Sequence, residues 1–302
     1  MGKVQSLVLI MVVVLGGIYP SQAAACPLVG RFVDYNCDQL YKIAFVGDSI
    51  VVGVGDSLYG SHGGYPLRIQ KRFSTSRVVN LGVPGVTSLR LYQLLASGLR
   101  PGTPSPLKAQ LRSADIIVID VGRNDYWQKV PPGMVVRNIF RIAGLLRSQL
   151  FKNGVAPLVV VATMIPNARS CQAPYVSEIN SLLLRYRFPH LPGYLRFDRD
   201  MSTSLLGGDG LHPTSAGYER MAKIAAHYLT HEAQEWSMRH RPDMDADGVY
   251  DLFEKKKFKT DPNRPDTDGD GYVDGEELFV LHTDPLDALN PTPTPTPESQ
   301  EN

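Results

Sequence analysis

A chain of 302 residues that is 43% hydrophobic and carries a net charge of +1 can bury one sizeable core and a smaller appendage. It has no basic run interleaved with aromatic residues, which disfavours nucleic acid as a partner. The charge is uneven: residues 243–277 hold twelve acids against five bases, a balance of −7 that points to bound cations.

The first predicted element is a secretory leader. Lys3 gives a positive start, residues 7–17 are almost wholly apolar, and Ser21-Gln22-Ala23-Ala24-Ala25 offers small residues for cleavage before Cys26. The apolar run is short for a membrane span of about 20 residues, so the expectation is removal of residues 1–25, with a retained anchor as the alternative. Export would place the three cysteines in an oxidising compartment. Cys26 and Cys37 are the local pair, leaving Cys171 over. A lipid on Cys26 is the competing reading, although Ala23 is a poor substitute for the large aliphatic residue that such signals prefer.

From residue 41 to about 233, short apolar runs alternate with segments of helical period. Strands are predicted at 42–46, 78–81, 116–121, 158–163 and 194–197. The Val- and Ile-rich ones read as buried on both faces. Val135, Ile139, Ile142, Leu146 and Leu150 share one helical face, and Asn153-Gly154 supplies a stop. A last helix begins near Thr214 and turns Tyr218, Met221, Ala222, Ala225 and Leu229 inward. This alternation predicts an α/β fold of three layers, with a five-stranded parallel sheet covered by helices on both faces.

In such sheets the working groups gather at the carboxyl ends of strands. Ser49 follows the first strand, Asn80 to Gly85 the second, and Gly122-Arg123-Asn124-Asp125 the third, while Asp209-Gly210-Leu211-His212-Pro213 comes after the fifth. A serine hydroxyl is a poor nucleophile at neutral pH. A neutral histidine can take its proton, and a carboxylate can hold that histidine in the required tautomer. Ser49, Asp209 and His212 supply those three parts. No Gly-x-Ser-x-Gly elbow surrounds Ser49, which argues against an α/β-hydrolase. His231-Glu232 lacks a second histidine at metalloprotease spacing. Arg123 reads equally well as a substrate contact or as a solvated side chain. The other histidines (62, 190, 227, 231, 240 and 282) read as surface or core residues.

Residues 41–232 resemble the SGNH hydrolases, the GDSL-type esterases and lipases, and their fold is similar to flavodoxin-like proteins. Gly47-Asp48-Ser49, Asn80-Leu81-Gly82-Val83-Pro84-Gly85, Gly122-Arg123-Asn124-Asp125 and Asp209-Gly210-Leu211-His212-Pro213 look like the family's four blocks in order. A Gly64-Tyr65-Pro66 segment stands where related esterases place an aromatic-Pro pair. The resemblance implies Ser49 as nucleophile, His212 as base, Asp209 as its orienting acid, and an oxyanion hole from the Ser49 and Gly85 backbone N–H groups with the Asn124 amide.

Beyond about residue 234 the composition changes. Asp243, Asp245, Asp247, Asp251 and Glu254 occupy positions 1, 3, 5, 9 and 12 of a loop, with Gly248 at position 6. Twenty-three residues on, Asp266, Asp268, Asp270, Asp274 and Glu277 repeat that frame around Gly271. Hard oxygen ligands at this spacing wrap one Ca²⁺ each, and the Val249 and Tyr272 carbonyls would complete the set. The loops resemble thrombospondin type 3-like repeats of secreted bacterial proteins and, less closely, dockerins. The alternating Pro-Thr tract from 290 is an extended spacer.

The expected plan is therefore a leader (1–25), a hydrolase domain (26–236), a calcium-loop module (237–289) and a Pro/Thr-rich tail or linker (290–302). The expected activity is ester hydrolysis by a secreted enzyme acting on a short-chain ester or an O-acyl group of polysaccharide. The alternatives are a lysophospholipase or lipase acting on lipid esters, and a calcium-dependent protein that binds a cell-wall or matrix component without catalysis.

Overall fold

The computed structural model describes residues 28–29, 32–33, 40–58, 63–73, 76–100, 105–150, 157–186, 191–239, then 245, 247, 249, 251 and 254–289. The leader, Cys26, Cys37, Asn153-Gly154, Asp243, Gly248, His62, His190, His240 and the Pro-Thr tract lie outside the described residues.

Two very short strands, β1 (Leu28–Val29) and β2 (Phe32–Val33), pair antiparallel ahead of the main sheet. The sheet itself is built from β3 (Tyr41–Gly47), β4 (Ser76–Gly82), β5 (Ile116–Asp120), β6 (Leu158–Ala162) and β7 (Tyr194–Leu195). Its order is β4-β3-β5-β6-β7, with every neighbour parallel. Strands that are apolar at both parities need cover on both sides. In β3, Tyr41, Ile43 and Phe45 enter one core while Ala44 and Val46 enter the other. In β5, Ile116 and Val118 join the first core, and Ile117 and Ile119 the second.

The first core lies under α2 (Gly64–Arg72), α8 (Ser215–Thr230) and α9 (Glu232–Arg239). The second lies under α3 (Ser88–Leu99), α4 (Pro106–Arg112), α5 (Pro132–Gln149) and α6 (Ala173–Arg185). Val135, Ile139, Ile142 and Leu146 on α5, and Tyr218, Met221, Ala222, Ala225 and Leu229 on α8, are all buried, as their spacing requires. Thr214 caps α8 by accepting from the Gly217 N–H at 3.2 Å.

Two departures have local causes. The strand expected at 194–197 stops at Leu195 because Phe197 opens a short helix, α7 (Phe197–Asp200). There the Asp198 carboxylate accepts from Arg196 Nε and Nη2 at 2.7 and 2.8 Å, bending the chain out of the sheet. The two expected strands at 116–121 and 158–163 each end one residue earlier, at Asp120 and Ala162.

The chain winds outward from β3 in one direction to β4 and in the other to β5, so the crevice at the carboxyl ends of β3 and β5 is the switch point of the sheet. The C-terminal segment does not hang free. A π-helical turn at Glu277–Leu281 packs on α5, and Leu278 and His282 line a cavity of about 420 Å³ shared with Val136, Arg137 and Phe140.

Ile142 is fully buried between α5 and the sheet. Ile142→Ala should lower the unfolding free energy by about 2–5 kcal/mol. Urea denaturation with an unchanged m-value and a shifted midpoint would show it.

Candidate active site

The first side of the switch point is set by a tight turn. Gly47 ends β3 against the backbone of β5, where a Cβ would stand 2.1 Å from the Asp120 carbonyl oxygen. Asp48 then caps the four-residue helix α1 (Ser49–Val52), its Oδ1 accepting from the Ile50 N–H at 3.0 Å. Ser49 is thereby held at the helix start, 9% exposed, with its hydroxyl facing the crevice where His212 reaches it.

His212 arrives from the far end of the domain. Its Nε2 lies 2.9 Å from Ser49 Oγ, and its Nδ1 lies 2.5 Å from Asp209 Oδ2. With Asp209 accepting on Nδ1, Nε2 is left to accept from the Ser49 hydroxyl. Asp209 Oδ1 accepts from the Leu211 and His212 N–H groups, both at 2.9 Å. Burial alone would raise the Asp209 carboxyl. The bonds from Leu211 and from the ring and backbone of His212 outweigh it and hold the group below its ordinary pKa. A permanent carboxylate here offsets the α8 dipole, which disfavours imidazolium near the helix start.

Across the crevice, Gly85 sits at φ +74°, a left-handed conformation that an added Cβ would strain, and its surroundings are open. Asn124 opens a 3₁₀ turn (Asn124–Gln128) after β5, and its Nδ2 donates to the Val86 carbonyl at 3.0 Å. One hydrogen of that amide remains for the crevice. Asp125 locks the same two loops together by accepting from Ser88 N–H at 2.8 Å and Ser88 Oγ at 2.6 Å. Thus Ser49, Gly85, Asn124, Asp209 and His212 all stand in the segments beyond the carboxyl ends of the strands, at one edge of the sheet.

Residues 45–220, more than half of the sequence, match the profile of the GDSL-like Lipase/Acylhydrolase family. The chain belongs to that family, whose members are esterase-type hydrolases. Residues 266–288 match a bacterial TSP3 repeat, a kind of repeat that typically binds calcium. Among solved structures, a member of the lipolytic G-D-S-L family from Veillonella parvula DSM 2008 is 17% identical with a TM-score of 0.51, the match covering 63% of this chain and 99% of that one. A lipase/acylhydrolase from Enterococcus faecalis is 19% identical with a TM-score of 0.51, over 63% of this chain and 95% of the other. At such identities these likenesses speak for the fold. No curated protein matches the chain.

Arg123 corrects the sequence reading. It is 3% exposed, and both carboxylates it meets are buried as well. It lies beneath the nucleophile turn, donating to Asp48 Oδ2 at 3.0 Å and to Asp120 Oδ1 at 2.6 Å, while Tyr65 O–H donates to Asp120 Oδ2 at 3.3 Å. Burial drives the Asp120 carboxyl upward in pKa despite Arg123, and the two carboxylates lift the guanidinium further despite its own burial. The signal was present in the sequence: an aspartate closing a fully apolar strand needs a cationic partner, and Arg123 stands three residues on. Tyr65, from the Gly64-Tyr65-Pro66 segment, is a buried member of this cluster at the start of α2.

Of the predicted metal ligands, the structure brings Asp245, Asp247 and Glu254 together, and likewise Asp266, Asp268 and Asp270. The two loops repeat each other's bonds. Asp247 N–H donates to Asp245 Oδ1 at 3.4 Å and Val249 N–H to Asp247 Oδ1 at 2.6 Å; Asp270 N–H donates to Asp268 Oδ1 at 3.2 Å and Tyr272 N–H to Asp270 Oδ1 at 2.9 Å. Glu254 and Glu277 each accept from a threonine six residues on, Thr260 and Thr283. The second oxygens of Asp245, Asp268, Asp270 and Glu277 are buried and meet no donor, a donor set that a hard cation fits. Burial and neighbouring acids raise Asp245 to about 6 and Glu277 to about 7. Asp274 differs, both its oxygens accepting from Thr267 at 2.7 and 2.6 Å. Asp251 is buried beside Lys255, with 3.7 Å between the charges. Cys171 is exposed and free. His227 and His231 stack on each other at the end of α8 with ring centroids 4.3 Å apart, and His282 is an exposed C-cap residue.

Sequence reasoning missed a second clamp. The buried Asp56 accepts from Arg68 Nη2 at 3.0 Å, Gly64 N–H at 2.9 Å and Ser215 Oγ at 2.8 Å, tying the segment after Ser49 to the helix after His212. Burial would raise Asp56, but these bonds reverse the sign and hold it far below its ordinary pKa. A carboxyl lowered by folding stabilises the native state above its unfolded pKa, and the contribution is lost as pH falls through the folded one. Asp56→Asn should cost about 1–3 kcal/mol near neutrality, because the buried Arg68 would keep only the more distant Glu219, 3.6 Å away, as a charged partner. The gap to wild type should narrow in acid below about pH 4, which unfolding curves at pH 7 and pH 3 would register.

Proposed function

We propose that the protein is an exported serine esterase that cleaves carboxylic esters through an acyl-Ser49 intermediate, with short-chain or carbohydrate O-acyl esters as substrates. The observation that carries this reading is the relay from Ser49 Oγ through the His212 ring to Asp209, at 2.9 and 2.5 Å. His212 takes the Ser49 proton as the hydroxyl attacks the ester carbonyl, then returns it to the departing alcohol; water repeats the cycle on the acyl-enzyme. The Ser49 and Gly85 N–H groups and the free Asn124 amide hydrogen receive the oxyanion.

An open cavity lies on the turn that begins at Asn124, with none of Ser49, Gly85, Asn124 or His212 in its lining. It measures about 470 Å³ and is walled by Tyr126, Trp127, Tyr175 and Pro131. Tyr175 O–H donates to the Val130 carbonyl at 2.7 Å and its ring meets Tyr126 edge-on, so the wall is braced from behind. Turnover of p-nitrophenyl acetate should vanish in Ser49→Ala and fall about 100- to 1,000-fold in Asn124→Ala. Equal rates in wild type and Ser49→Ala would sink the esterase and leave the binding-protein alternative. A panel from acetate to palmitate with acetylated xylan and lysophospholipid separates the substrate classes.

The acidic loops serve Ca²⁺ in the same reading. Asp245, Asp247, Glu254 and the Val249 carbonyl would hold one ion with Asp243 and Asp251; Asp266, Asp268, Asp270, Glu277 and the Tyr272 carbonyl would hold another with Asp274. Because Leu278 follows a ligand and docks on α5, Ca²⁺ should raise the melting temperature of the whole chain. Calcium at a hundred times Kd adds about 2.7 kcal/mol per site, or roughly 5–10 °C at this size. Uptake must displace protons from Asp245 and Glu277, so the gain should shrink as pH falls from 7 to 6. An identical melting curve in millimolar Ca²⁺ and in EGTA would refute the assignment.

A further inference from the structure

The loop that follows β6, residues 163–172, reaches back over the Asp209 turn. Arg169 Nε donates to the Asp209 carbonyl at 2.7 Å, and the Ala168 N–H donates to the Gly210 carbonyl at 2.9 Å. The arginine is itself held, its N–H donating to Asn167 Oδ1 at 2.8 Å and its Nη1 standing 3.5 Å from Gln172 Oε1. Asn167 and Gln172 are 8% and 1% exposed and bond each other at 3.3 Å, so the clamp has a built base. Its guanidinium then comes 3.8 Å from Asp209 Oδ2, the same oxygen that faces the His212 ring.

We infer that Arg169 is a positioning residue for the Asp209–His212 pair, fixing the backbone of the turn whose carboxylate orients the imidazole. The inference rests on the esterase reading above. The Nε bond and the Ala168 bond hold the turn from two sides. A turn held in this way keeps Asp209 Oδ2 facing the His212 ring.

The other charged groups around the pair are already engaged. Beneath Ser49, Asp48 and Asp120 share Arg123. On the loop after α1, Asp56 pairs with Arg68, and on α8 Glu219 pairs with Arg68 and Arg72. None of them changes in the variants below.

Three substitutions in the full chain test the inference, read as kcat, KM and melting temperature with p-nitrophenyl acetate as substrate. Arg169→Ala should lower kcat about tenfold, the scale of one lost orienting bond, with KM and melting temperature unchanged. Arg169→Lys keeps the cation but not the planar Nε contact, so kcat should fall nearly as far. Arg169→Gln keeps a donor and should recover part of the loss. Wild-type kcat in Arg169→Ala would overturn the inference. So would full rescue by Arg169→Lys, a fall in kcat together with melting temperature, or a raised KM at constant kcat, which would make Arg169 a substrate contact. Ser49→Ala keeps the two failures apart: activity surviving in it removes the esterase reading, whereas an inert Ser49→Ala beside unaltered Arg169 variants removes only this inference.

Discussion

One buried guanidinium sits under everything the crevice does. Arg123 joins Asp48, which caps the helix that starts at Ser49, to Asp120, which closes β5. Without a cation there, two carboxylates from adjacent strands would share a dry space and one would take up a proton. The neighbouring residue, Asn124, starts the turn on the opposite wall. A single residue thus fixes the spacing between the hydroxyl on one strand end and the amide on the next. The cluster is buried and forms the floor beneath Ser49 and Asn124.

Above that floor, order is imposed by short bonds between segments remote in sequence. Asp125 binds the Ser88 helix start, Asp56 binds Arg68 and Ser215, and Arg169 binds the turn of Asp209. Each uses a side chain to hold a backbone or a cap close to Ser49, Asn124 or His212. Preorganisation of this kind matters because an oxyanion is stabilised by donors already aimed at it, not by donors that must first turn. The aromatic wall from Tyr126 to Tyr175 extends the same rigid frame outward, and the π-helical turn after Glu277 braces the opposite flank of α5.

Much of this was legible in the residues. Short apolar runs located the strands of the sheet, and their helices followed from 3.6-residue spacing and from Thr214 as a cap. The block order placed Ser49, Gly85, Asn124, Asp209 and His212 at one edge, where the structure has them. The pair β1–β2 was not legible because two residues per strand carry no period. Phe197 continued an apolar run, and only the Asp198 bonds, which are tertiary as well as local, turn it into a helix start. Arg123 was misjudged because a charge in a loop block reads as solvated unless the buried Asp120 is counted with it. Arg169 left no mark at all, since nothing near residue 169 announces that its loop returns to residue 209.

Ser49 and His212 are 163 residues apart in the chain, and Ser57 and Ser215, which brace them, are 158 apart. Contacts of such long range form only after the loops between them have been closed. The Ser49–His212 contact therefore forms late in folding and is lost at a global opening. A chain in which the segment before α8 has not yet docked holds Ser49 without the His212 ring beside it. Full assembly of the sheet is the condition under which the two side chains meet.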